Sequence, residues 1–119
     1  MNPIDSDNCI FCAIISGKAQ GEILYQDEQI TAFRDKYPVA PVHILIVPNK
    51  HIVSLENLTV EDESLIGKMV LVSKKLAKSE GINESGYRLV ANTGYEGGQR
   101  VFHLHLHLIG GKKLGIVIG

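Results

Sequence analysis

Between His103 and Ile109 the chain reads His-Leu-His-Leu-His-Leu-Ile, an alternation of period two that suits a β-strand and not a helix. Successive side chains on a strand point to opposite faces. Leu104, Leu106 and Leu108 therefore seek a core on one side while His103, His105 and His107 share the other. A fold for this chain has to bury one face of that segment and hold a row of imidazoles on the other. Neutral imidazole is a nucleophile, a base and a metal ligand near neutral pH, so this row is the first place to look for chemistry. The plain alternative is a half-buried strand with histidine at its polar positions. A tag is excluded, because tag histidines are contiguous and terminal.

The flanking segments supply the rest of a small sheet. Ile23 to Gln26 and Ile30 to Arg34 read as a hairpin with Asp27-Glu28 in the turn. His43 to Pro48 is almost wholly apolar, as expected of a central strand covered on both faces. Tyr87 to Asn92 and Val101 to Ile109 are two more strands, joined by the glycine-rich loop 93–100. Residues from about Cys9 to Ile15 have helical spacing that ends at Ser16-Gly17. Thr59 to Asp62 reads as a cap with an acidic first turn, followed by Leu65, Met69, Val72 and Leu76 at helical spacing up to Gly81. The expected class is α+β: an antiparallel sheet of about five strands with one long and one short helix. At 119 residues, 45% of them hydrophobic, the chain reads as a single domain over 1–119 with its core over about 9–111.

Composition limits the partners. Lys and Arg number 12 against 13 Asp and Glu, a formal charge of -1, which gives no field to draw nucleic acid or an acidic membrane. A bound phosphate must be held locally. Residues 1–7 lack a basic stretch followed by an apolar one, and no run approaches a membrane span, so a cytoplasmic location is expected. The two cysteines, Cys9 and Cys12, are too close in sequence for a disulfide framework, which leaves a redox pair or half of a metal site. No βαβ pattern surrounds them, which disfavours the redox pair.

The segments Phe33-Arg34-Asp35, Pro41-Val42-His43-Ile44-Leu45-Ile46-Val47-Pro48, Gly86-Tyr87-Arg88, Asn92-x-Gly94, Gly97-Gly98-Gln99 and Leu108-Ile109-Gly110-Gly111 accompany H-x-H-x-H in order. Together they resemble the nucleotide-binding Hint branch of the histidine triad family, from about Ile10 to Gly111. The resemblance implies hydrolysis of a phosphoramidate or related bond on a purine nucleoside monophosphate such as AMP or GMP, through a covalent nucleotidyl-histidine. It implies His105 as the nucleophile, with a backbone carbonyl near His103 accepting its second N–H. His43 would orient or polarise the site, and His107, Gln99 and the N–H groups around Gly98 would meet the phosphate. Asp35 would accept from the ribose hydroxyls, Asn92 would lie near ribose and phosphate, and Ile10, Phe11, Phe33, Leu45 and Val101 would border the base.

No organic cofactor is implied. Cys9, Cys12, His51 and His103 offer a C-x-x-C…H…H set of the kind tetrahedral zinc prefers, and some bacterial members of the family hold a structural zinc in such a place. The plain alternative is a pair of buried, reduced cysteines with His51 at a strand end. The resemblance also implies a homodimer. Two positions depart from the pattern: Arg100 stands where many Hint-type proteins carry a small hydroxyl residue, and Lys36 where an apolar residue borders the base. The tail 112–119 is short and ends apolar, which bears on substrate choice because a family tail can approach the partner's site. Two other functions stay open. One is a metallohydrolase with catalytic zinc on His103, His105 and another histidine, and the other is a nucleotide-binding interaction module with little turnover.

Overall fold

A computed structural model describes residues 6–116. The expectations for the leader region at 1–5 and for the last tail residues, 117–119, lie outside the described residues. Five strands form one antiparallel sheet: β1 (Ile23–Gln26), β2 (Ile30–Arg34), β3 (Val42–Pro48), β4 (Tyr87–Val90) and β5 (Leu106–Gly110). Their spatial order is β1-β2-β3-β5-β4, which puts the apolar β3 in the middle as its composition predicts. Two α-helices join them, the short α1 (Ile10–Ile15) and the long α2 (Glu63–Ser79). The α+β class and the element order agree with the sequence.

All seven residues of β3 are buried because both faces of the sheet are covered. On one face, Leu65, Met69, Val72, Leu76 and Ala77 of α2 pack on Ile30, Ala32, Val42, Ile44, Ile46, Leu104 and Leu108. On the other, α1 brings Phe11 and Ile14 onto Phe33, Leu45 and Val47. Burying each of these aliphatic or aromatic side chains is worth about 1.5–3 kcal/mol. An isolated six-residue helix such as α1 does not persist in water, so contacts with the sheet hold it in place. The helix α2 follows a 3-10 turn, Val60–Asp62, in which Thr59 and Asp62 form a reciprocal capping box.

The histidine segment corrects one expectation. The ladder of β5 starts at Leu106 instead of Val101, so His103 and His105 precede the strand and only His107 lies within it. The β3 register ends at Ile46 opposite Leu106. Beyond that point Pro48 has no N–H to donate, and its carbonyl receives the His103 Nε2–H at 2.7 Å. The Leu104 N–H turns away to the Ile52 carbonyl at 2.6 Å. The alternation of faces survives this departure: Leu104 and Leu108 join the α2 core, while His103 and His105 face α1. Likewise β4 ends at Val90 and not at Asn92, whose amide folds back to donate to the Gly97 carbonyl at 2.7 Å.

Candidate active site

Three elements converge on the α1 face. Strand β3 carries His43 and Leu45 on that face, β5 places His107 opposite Leu45, and the incoming segment supplies His105. His105 is only 7% exposed, and its Nδ1–H donates to the His103 carbonyl at 2.6 Å. In neutral His105 that bond leaves Nε2 without a proton, as a lone pair. Phe11 stands edge-on to the His105 ring at 5.0 Å between centroids and 89°, while His107 approaches it at 4.9 Å. These neighbours limit the ring's rotation. The acceptor expected near His103 is therefore the carbonyl of His103 itself.

The tautomers of the neighbouring histidines follow from one backbone donor. The Val39 N–H can only donate, and it reaches His43 Nδ1 at 3.1 Å, so in neutral His43 the proton sits on Nε2. That Nε2–H faces His107 Nδ1 at 2.9 Å and Asp35 Oδ2 at 3.3 Å. His107 then accepts at Nδ1 and carries its own proton on Nε2. A chain of polarised donors thus runs from Val39 through His43 to His107. Nothing in the sequence marks the Val39 N–H for this task; Pro38 and Pro41 signal only the loop that returns it to β3.

Burial keeps all these rings neutral. Desolvation pushes His107 down to about 4, helped by His105 and His43, and pushes His43 down against the opposing pull of Asp35. Burial also lowers His105, against its bond to the His103 carbonyl. The unfolded reference for histidine lies near 6.5. The unfolded chain therefore binds more protons below that value, and the stability of neutral His43 and His107 is complete above about pH 6.5 and lost as pH falls toward about 4. Thermal melts across this window should show a loss of about 2 kcal/mol from His107, discounted for its partial exposure, and His107→Asn should flatten that part of the profile.

The expected base slot is largely assembled: Phe11, Phe33 and Leu45 share one apolar cluster with Val101 at its border. Ile10 is half exposed at the start of α1, next to Phe11. Asp35 sits beside the histidines, with Oδ1 accepting the Tyr37 N–H at 2.8 Å and lone pairs left over for a diol. The expected phosphate donors fare differently. The buried Gln99 gives its amide hydrogens to the Val53 and Val101 carbonyls and accepts the Gly94 N–H. The Gly98 and Gln99 N–H groups are also engaged within the loop. Gln99 therefore braces the loop with its whole amide, and Asn92 gives one amide hydrogen to the Gly97 carbonyl. Both glycines are required by the loop's shape: a Cβ at Gly97 would collide with the Thr93 carbonyl oxygen, and Gly98 has φ +85°. His107 Nε2–H and the exposed Arg100 guanidinium are the other donors of a kind that suits an anion. Gln99→Ala should leave three loop groups unpaired and destabilise the fold by about 2–3 kcal/mol, read from denaturant midpoints.

A second constellation lies behind the first. Cys9 Sγ is 3.3 Å from His103 Nδ1, Cys12 Sγ is 3.3 Å from His51 Nδ1 and 3.5 Å from His103 Nδ1, and the two Nδ1 atoms are 3.2 Å apart. A tetrahedral ion with Zn–N near 2.05 Å and Zn–S near 2.3 Å separates its ligands by about 3.4 Å (N to N) and about 3.6 Å (N to S). The four atoms are already spaced to fit it. The Pro48 carbonyl holds the His103 Nε2 proton, which turns the Nδ1 lone pair toward the group, as metal-bound histidines require. Burial and Cys9 push the Cys12 thiol up to about 11, so Cys12 stays a neutral thiol until a cation draws off its proton. His103 belongs to this group, and among the described residues His105 belongs to neither group with metal-ligand spacing, the other being Asp35, His43 and His107. The geometry thus gives no support to a catalytic zinc shared by His103 and His105.

The likenesses to known proteins bear on the whole site. The family model described as "Scavenger mRNA decapping enzyme C-term binding" matches residues 8–116. The chain is 47% identical over 110 residues to the purine nucleoside phosphoramidase of Escherichia coli (strain K12), covering 92% of each chain. Among solved structures it resembles a HIT family hydrolase from Legionella pneumophila Philadelphia 1, with TM-score 0.91 and 44% identity over 94% of this chain and 100% of that one. A histidine triad protein from Clostridium difficile is similarly close, with TM-score 0.90 and 40% identity over 93% and 96% of the two chains.

Proposed function

The chain belongs to the histidine triad family, in its Hint-type branch, and from that premise we propose that it hydrolyses purine nucleoside 5'-phosphoramidates through a nucleotidyl-His105 intermediate. The observation that carries this reading is the His105 Nδ1–H bond to the His103 carbonyl, which presents Nε2 as a lone pair. Nε2 attacks the α-phosphorus, the P–N bond breaks, and the amine departs with a proton taken from solvent. The Nδ1–H bond stabilises the positive charge that develops on the ring. Water then attacks the same phosphorus, the P–Nε2 bond breaks, and the nucleoside monophosphate is released.

His107 acts as donor in both steps. Its Nε2–H meets a phosphate oxygen or the departing nitrogen, and His43, itself beside Asp35, keeps that proton on Nε2 by donating to Nδ1. Asp35 accepts from the ribose diol, and Phe11, Phe33, Leu45 and Val101 border the purine. Arg100 supplies charge to the phosphate and not a proton, because a guanidinium does not deprotonate in proteins. Arg100→Ala should therefore lower kcat/KM by about 10–100-fold, with KM taking more of the loss than kcat, in steady-state assays with an adenosine phosphoramidate.

Cys9, Cys12, His51 and His103 would hold a structural zinc ion, which supplies a cross-link between α1 and the two histidine segments. No step of the reaction runs through it, and no organic cofactor takes part. The protein acts as a homodimer, a reading supported by the open edge of β4 and the exposed Val70 and Leu71 on α2. The whole chain is one domain that works in the cytoplasm without nucleic acid or membrane partners; among the described residues no helix is long and apolar enough to cross a membrane. Release of AMP from adenosine phosphoramidate, without added metal and with a preference for purine over pyrimidine nucleosides, tests the activity. Binding of AMP with no turnover would reduce the protein to a nucleotide-binding module.

A further inference from the structure

The segment that carries the nucleophile lies outside the sheet's backbone ladder. The β5 ladder begins at Leu106, so His103, Leu104 and His105 owe their position to other contacts. The His103 ring bonds the Pro48 carbonyl, Leu104 packs in the α2 core and His105 packs on His107, and the other contacts lead to the Cys9, Cys12, His51 and His103 tetrad. The His103 side chain belongs to the tetrad, while its carbonyl accepts the His105 Nδ1–H at 2.6 Å. The Leu104 N–H, between the two histidines, bonds at 2.6 Å to the carbonyl of Ile52, the residue after His51. Cys9 caps α1, its sulfur accepting the Cys12 N–H at 3.3 Å, and the same turn carries Phe11 against both His103 and His105.

We infer that occupancy of this tetrad by a thiophilic divalent cation sets the tautomer and position of His105, with His103 as the positioning residue, so that the metal state governs the rate of turnover. The inference rests on the reading of His105 as nucleophile and of the tetrad as a cation site. Without the ion, direct sulfur–imidazole contacts of 3.3–3.5 Å are what join the four groups, and these are weaker than four bonds to one cation. The turn Cys9 to Cys12 and the segment at His51 then move independently. The His103 carbonyl drifts from His105 Nδ1, and Phe11 ceases to block the ring. His105 then samples both tautomers, and in one of them Nε2 carries the proton and cannot attack. With the ion in place the two segments and α1 form one rigid unit around the nucleophile.

The test uses full-length protein with 15N-labelled histidine, loaded with one equivalent of zinc, stripped with a chelator under native conditions, and reloaded. The 15N signals of His105 report its tautomer at fixed pH, and kcat and KM for adenosine phosphoramidate are measured on the same samples, with circular dichroism to verify folding. In the loaded protein the expected pattern is one protonated Nδ1 and one unprotonated Nε2. In the stripped protein the two signals move toward each other and kcat falls roughly tenfold or more, with a smaller change in KM, and zinc restores both. Should the stripped protein unfold, cadmium-loaded protein replaces it; the larger ion spreads its ligands, and displaced His105 signals with a lowered kcat support the inference. Unchanged His105 signals and unchanged kcat in folded, stripped or cadmium-loaded protein overturn it. Failure of the tetrad to bind zinc overturns it together with the cation reading. If the loaded parent releases no product, the hydrolase reading fails on its own, and the tautomer signals still decide the coupling.

Discussion

Replacing His105 with alanine is expected to lower kcat for adenosine phosphoramidate by about four orders of magnitude or more, to the level left by binding and polarisation alone. The size follows from the loss of a reaction path. No other neutral imidazole in the site has an open nitrogen backed by a carbonyl: His43 receives the Val39 N–H, His107 receives His43, and the His103 side chain turns to Pro48 and the cysteines. AMP affinity should change far less, since the base slot and Asp35 are untouched. Folding should survive, because among the described residues the hydrogen bond lost is the one to the His103 carbonyl, worth about 1 kcal/mol. Steady-state kinetics beside calorimetric AMP binding separates these effects. His43→Ala should cost less, about a hundredfold, because it removes the group that orients the donor and leaves the nucleophile in place.

The paired change Cys9→Ser and Cys12→Ser should abolish zinc binding and lower the melting temperature by on the order of 10–15 °C at saturating zinc. An ion that binds only the folded chain adds about 4 kcal/mol when its free concentration is a thousand times its dissociation constant. Near the melting point of a domain this size, each kcal/mol moves the midpoint by about 4 °C. The stabilisation is concentrated on α1, which has six residues and gains little from its own hydrogen bonds. Melting curves with and without zinc, set beside metal content by atomic spectroscopy, check this. In the parent the midpoint should rise with zinc, and in the double variant it should not respond.

Much of this architecture was legible because periodicity reports which face a residue occupies. The alternation at 103–109 placed Leu104 and Leu108 in the core and the histidines opposite, and the apolar run of β3 marked the central strand. Periodicity does not report whether an extended segment belongs to a ladder, so the start of β5 was read five residues too early, at Val101 instead of Leu106. Hydrogen-bond partners were illegible for the same kind of reason. Gln99 has a residue type suited to a phosphate, yet its neighbours in space, Val53 and Val101, offer carbonyls that take its amide hydrogens. The C-x-x-C spacing could be read as half of a metal site. That His51 completes it alongside His103 depends on the chain after β3 passing beside the segment before β5, which shows only in three dimensions.

Intact-mass spectrometry after brief mixing with an adenosine phosphoramidate tests the central claim most directly. The reaction is quenched in denaturant at alkaline pH, where a phosphorus–imidazole bond survives. The account predicts one added nucleotidyl group on the parent protein, mapped by proteolysis to His105 and absent from His105→Ala. Steady release of AMP with no adduct at any quench time, abolished by a chelator while the protein stays folded, would contradict it and point to water activated by a metal.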